Sequence, residues 1–144
     1  MERSGRNPRN ERGQSMVELA LTITLLMILL AGTIDLGRAF FTWQALRDAA
    51  QEGASYGTIY PTSLDLIKEH VWDNLGTIIQ NPKTDVTINI GYIDYPCLGN
   101  TILVNVDYPH FPLTMPFLGW ILGTQTISIH ATVNDSILKP MTCP

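Results

Sequence analysis

Basic charge is scarce in this chain once its first thirteen residues are passed. Arg3, Arg6, Arg9 and Arg12 are four of the nine Lys/Arg, and residues 14–144 carry five against eleven Asp/Glu, a net charge of −6. A surface that acidic offers a phosphate backbone no basic patch, so a nucleic-acid partner is not expected. Catalytic signals are also missing. His70, His110 and His130 fall on separate elements without metal-ligand spacing, and there is no Gly-rich phosphate loop, Gly-x-Ser-x-Gly elbow or paired-cysteine motif. The reading is therefore of a protein that is not an enzyme, with no metal, no cofactor and no small-molecule substrate. Asp65, Glu69 and Asp73 recur at intervals of four, the pattern of a solvated helix face.

A third absence is more informative. Between Glu18 and Asp35 lie sixteen residues, LALTITLLMILLAGTI, without a charge or a proline. A membrane helix tolerates an acid at an interface or opposite a partner, so Glu18 stands at the mouth of an anchor. The residues before it interleave arginine with Asn, Gly, Pro and Ser and hold no apolar cluster. They read as a disordered cytoplasmic leader over residues 1–13, and the positive-inside rule then sends the C-terminal part across the membrane. A cleavable secretory signal is the first rival, but the apolar run is too long. Asp35-Leu36-Gly37-Arg38 follows it without a small-x-small cleavage site.

The stretch Gly13-Gln14-Ser15-Met16-Val17-Glu18 resembles the processing site of type IV prepilins, in which a dedicated peptidase cuts after a glycine and the fifth mature residue is glutamate. Together with the Arg12-Gly13-Gln14 start, the Asp35-Leu36-Gly37-Arg38 turn and Ala49-Ala50-Gln51-Glu52-Gly53-Ala54, the chain from Arg12 to about Gly57 is similar to the TadE family of pseudopilins from Tad (Flp) pilus systems. Leu19 follows the glutamate where the small major pilins of these systems typically carry tyrosine, and the longer chain also favours the minor type. The resemblance implies cleavage between Gly13 and Gln14, with Glu18 as an assembly residue pairing with a neighbouring subunit's new N-terminal amine. It implies as partners the membrane, the prepilin peptidase, other pilin or TadE/TadG-like subunits and the Tad assembly machinery. The bland reading of Glu18 is an acid favoured by the helix dipole and snorkelling to headgroups.

The first helix can be read without the family. The apolar run spans only about 24 Å, short of a roughly 30 Å hydrocarbon core. Asp35 and Arg38 share a face and can pair where the helix leaves the membrane. Phe40, Trp43, Leu46, Ala50 and Ala54 continue one apolar stripe, which predicts a helix of about 40 residues, near 60 Å, stopped by Gly57. Residues 14–57 thus form the long helix, with the anchor at 17–34 and an amphipathic half at 35–57. Ala45, Ala49, Gly53 and Gly57 recur every four residues on an adjacent face. They serve either helix packing in an assembly or packing under the protein's own sheet.

Residues 58–144 read as one exported α+β domain, which gives the whole chain a type IV pilin-like fold class. A second helix begins at Thr62 or Ser63, carries Leu64, Ile67, Val71, Leu75 and Ile78 on one face, and ends at Asn81-Pro82. Three alternating segments then predict a small antiparallel sheet of about three strands: Val86–Tyr92, Ile102–Tyr108 and Ile127–Val133. Cys97 and Cys143 suggest one disulfide, closing a loop of nearly fifty residues and worth about 4 kcal/mol in the chain-entropy model; two free thiols or an intermolecular bridge are the alternatives. The loop Pro109–Gly123 is apolar, broken by three prolines and in need of cover. It packs on its own domain, dips into the outer leaflet or meets a partner, with Phe117 and Trp120 as the interface candidates. The leading expectation is a minor pilin, single-pass in the inner membrane and extracted into or onto an extracellular pilus. An uncleaved signal-anchored envelope protein with a ligand- or partner-binding domain is the runner-up, and an exported hydrolase is a distant third.

Overall fold

The computed structural model of the chain describes residues 8–115, 119 and 123–139. Its first element, α1, runs over Pro8–Ile59, 52 residues, which at 1.5 Å per residue is about 78 Å. The expected helix was shorter at both ends. At the start, proline suits the first helical position because its fixed φ is already helical and its missing N–H is not needed there, so the helix reaches back through residues assigned to a disordered leader. At the far end Gly57 does not stop it. The helix closes when Tyr60 N–H bonds to Tyr56 carbonyl at 3.1 Å, and Tyr60 precedes Pro61, whose ring disfavours a helical conformation in the residue before it.

Helix α2 covers Leu64–Leu75 and buries Ile67, Val71 and Leu75. Ser63 begins it without a side-chain cap, and Gly76 closes it through an N–H bond to Trp72 carbonyl. This is one turn shorter than the spacing suggests, since Ile78 is exposed and Ile79 takes the buried place. A four-residue helix, α3, Pro82–Asp85, was not expected; its proline occupies the first turn, where proline is tolerated.

The three strands are β1 (Thr87–Ile93), β2 (Thr101–Pro112) and β3 (Thr126–Ser136), antiparallel in the order β1-β2-β3. The register pairs Ile88 with Val106 and Ile90 with Val104, and Val104 with Val133 and Val106 with Ala131. One face of the meander is therefore apolar, as the alternation predicts, and Ile88, Ile102, Val104, Val106, Ile129, Ala131 and Val133 are buried on it. The second strand is longer than expected. It passes through Pro109 and His110 by a register shift between Tyr108 and Phe111, because a proline cannot donate to the ladder.

The core lies where the distal half of α1 meets α2 on one side and β2 and β3 on the other. Beyond β3, Ile137 is buried, and Leu138 N–H bonds to Thr58 carbonyl at 2.9 Å, tying the chain to the end of α1.

Candidate functional site: the long helix and its membrane edge

The proximal part of α1 is an apolar rod whose large side chains are exposed. Leu19, Leu21, Leu25, Leu26, Leu29 and Leu30 are all exposed. The helix is long and apolar enough to cross a membrane, and none of its most apolar 18-residue window is buried within the chain. Thr22, Thr24 and Thr33 return their hydroxyls to the carbonyls of Glu18, Ala20 and Leu29, each at 2.8 Å. These polar side chains thus ask nothing of the surroundings.

Gly13, Gln14 and Glu18 sit on the same exposed helical surface. A Cβ on Gly13 would meet nothing within 4 Å, so packing does not require glycine there. Among the described residues Glu18 has no ion-pair partner.

Asp35 is where the anchor meets the domain. The expected pair with Arg38 is present at 3.6 Å, yet it is the weaker half of the arrangement. The Asp35 carboxylate accepts the backbone N–H of Thr114 at 2.9 and 3.0 Å and that of Met115 at 2.8 Å, and is only 3% exposed. Arg38 donates to the Thr114 hydroxyl and lies 5.3 Å over the Phe111 ring. Two residues of the helix thereby hold the chain that leaves β2. Spacing in the sequence shows that Asp35 can reach Arg38; it carries no sign of a partner nearly eighty residues away.

Farther along, the small-residue stripe is occupied. Ala45 and Ala49 are buried, and Cβ atoms on Gly53 and Gly57 would come within 2.4 Å of Val71 Cγ2 and Ile102 Cδ1. Within the single chain the stripe packs under the protein's own α2 and sheet, one of the two readings open to it. Beside it, an open groove of about 750 Å³ lies between Arg38, Phe41, Asp48, Ile79, Asp85 and Phe111. Among the described residues no cluster of His, Cys, Asp and Glu has the geometry to hold a metal ion. Phe117, Trp120 and Cys143 lie outside the described residues.

Residues 13–55 match the family model of TadE-like proteins. The matched segment opens on Gly13 and ends inside the buried stripe, so it covers the exposed rod, the Asp35 clamp and the first turns that enter the core. No curated protein and no solved structure matches the chain.

Proposed function

We propose that the chain is a minor pilin of a Tad pilus, cut by a prepilin peptidase after Gly13, held in the membrane by residues 17–34 and extracted into or onto the fibre. The observation that carries this reading is the TadE-like match over 13–55, laid on a helix whose large side chains from Met16 to Leu30 are exposed. An apolar rod of that kind needs lipid before assembly and neighbouring helices after it. Gln14 becomes the N-terminus, Glu18 the fifth residue, and Glu18 accepts the amine of the next subunit. Arg3, Arg6, Arg9 and Arg12 keep the leader in the cytoplasm, and the acidic domain lies outside. The role is structural.

The proposal includes one disulfide, Cys97 to Cys143. Support comes from residues near each cysteine: Gly99 N–H bonds to Ile137 carbonyl at 3.0 Å and Ile137 N–H to Asn100 carbonyl at 2.8 Å, so the chain that leaves β3 runs beside the loop that carries Cys97.

The deciding experiment is the N-terminal sequence and intact mass of the membrane-extracted protein, with and without a prepilin peptidase, for wild type and Gly13→Ala. A Gln14 start that needs both the peptidase and Gly13 supports the pilin reading; a Met1 start despite active peptidase overturns it. The second reading, an uncleaved signal-anchored envelope protein, is favoured by one observation: α1 runs unbroken through Gly13 from Pro8, and a peptidase must unwind a helix to cut there. The same masses taken before and after reduction test the disulfide.

A further inference from the structure

Between Glu18 and Arg47 the chain carries two charges only, Asp35 and Arg38. An anchor ending at Ile34 assumes that Asp35 presents a free carboxylate to water. It does not, because the backbone of Thr114 and Met115 and the Arg38 guanidinium take up its oxygens. A polar group whose hydrogen bonds are met inside the protein tolerates an apolar surrounding.

The apolar exterior of α1 does not stop at Asp35 either. Leu36 is 74% and Phe41 71% exposed, and Phe40 and Trp43 are exposed beside them, with the Phe40 ring 6.1 Å from both neighbouring rings. Meanwhile the chain beyond β2 descends along the helix. The Met115 methyl lies 3.0 Å from the place a Cβ on Gly32 would take, three residues inside the uncharged run. Leu113 and Met115 are half-buried.

We infer that lipid covers the chain well past Asp35: the outer membrane boundary falls at Phe41 to Trp43, and Leu113 to Met115 form a foot of the exported domain set in the outer leaflet beside α1. The lengths agree. Leu19 to Phe41 rises about 33 Å, which spans a roughly 30 Å core at a tilt of about 25°. This removes the shortfall of the sixteen-residue run. Trp43 with Arg47 5.8 Å over its ring is the kind of pair found at an interface. Arg38 is 45% exposed, so the N–H groups that Asp35 and Thr114 leave free reach toward phosphates while the guanidinium lies over the Phe111 ring.

The inference rests on α1 being a membrane anchor and not on the pilin reading. Its test uses a photoreactive phenylalanine analogue at Phe41, Met115, Leu29 or Tyr95, in the otherwise native chain in phospholipid vesicles, read by the mass of the adduct. Phospholipid adducts at Phe41 and Met115 as abundant as at Leu29, with none at the distal and exposed Tyr95, are expected. Adducts at Leu29 but at neither Phe41 nor Met115 overturn the foot while leaving the anchor standing. Crosslinked protein dimers in place of lipid adducts at Phe41 and Met115 also overturn it, and show a subunit interface. Loss of lipid adducts at Leu29 as well overturns the anchor and the foot together. If the analogue at Met115 disturbs the clamp, Phe41 still decides, since its side chain is exposed and makes no part of the core.

Discussion

The two halves of α1 share a backbone and differ in who covers them. From Met16 to Leu30 the large side chains are exposed, whereas from Ala45 to Ala54 the inward-facing residues, Leu46 apart, are small, and all are buried by α2 and the sheet. Both halves are apolar, so hydrophobicity alone does not distinguish them. Size does. Leucine, isoleucine and methionine on the proximal half project a surface for lipid or for other helices. Alanine and glycine on the distal half let the chain's own helix and strands approach to contact distance. The small-residue stripe that reads as an assembly motif in sequence is therefore spent within the fold, and the rod is what remains for partners.

The largest effect expected from this contrast comes from adding bulk to the distal half. Gly53→Leu and Gly57→Leu push side chains into Val71 and Ile102, where a single Cβ already comes within 2.4 Å. Each should cost about 3 kcal/mol through overpacking, measured by chemical unfolding of the detergent-solubilised chain. Gly37→Leu is the control, since a Cβ there meets nothing within 4 Å. Equal loss at Gly37 would end the distinction between the halves. At their junction, Asp35→Ala leaves two backbone N–H donors without their acceptor. The expected cost is about 2 kcal/mol, confined to the foot and read as roughly 30-fold faster hydrogen exchange at Thr114 and Met115. Asp35→Asn, which keeps one carbonyl acceptor, should fall between. Unchanged exchange in both variants would mean that the clamp does not hold the loop.

Much of the fold is legible in the sequence because period and burial agree. Val104 and Val106 alternate with Leu103 and Asn105 and do bury on one face, and Ile67, Val71 and Leu75 face the core at helical spacing. Legibility ends where the deciding contact is distant in sequence. Nothing near Asp35 announces Thr114, and nothing near Ala49 or Gly53 says whether the close neighbour is Val71 of the same chain or the helix of another. The helix bounds failed for a local reason: a glycine such as Gly57 reads as a stop, yet here it is the residue whose missing side chain admits Ile102. At the processing segment the reverse holds. Gly13 and Glu18 are conspicuous in sequence while they stand exposed in the fold, which is what the proposed roles toward a peptidase and neighbouring subunits would require.

A smaller effect sharpens the distal side of the comparison. The Tyr92 hydroxyl donates to Pro61 carbonyl, pinning β1 against the turn that follows α1. Tyr92→Phe should cost about 1 kcal/mol. Burial raises the pKa of Tyr92 above its ordinary value, so the folded chain resists the phenolate that the unfolded chain forms first. The sign follows: this contribution is complete below the ordinary tyrosine range near pH 10 and is lost as pH rises through the raised folded value. Unfolding midpoints measured across that window should fall more steeply in wild type than in Tyr92→Phe, and identical slopes would refute the assignment.

The smallest effect on stability is expected at Gly13, the residue on which the proposed processing depends most. Gly13→Ala meets nothing within 4 Å and adds a better helix former to the first turns of α1. Alanine in place of glycine favours the helix locally by up to about 1 kcal/mol. The first buried residue of α1, Asp35, lies about six turns farther on, so the unfolding midpoint of the packed domain should not move. If Gly13→Ala abolishes the Gln14 start while leaving that midpoint in place, the lost cleavage is a matter of recognition at the glycine. If the midpoint falls with it, the proximal and distal halves of α1 are coupled, and the division between rod and core fails.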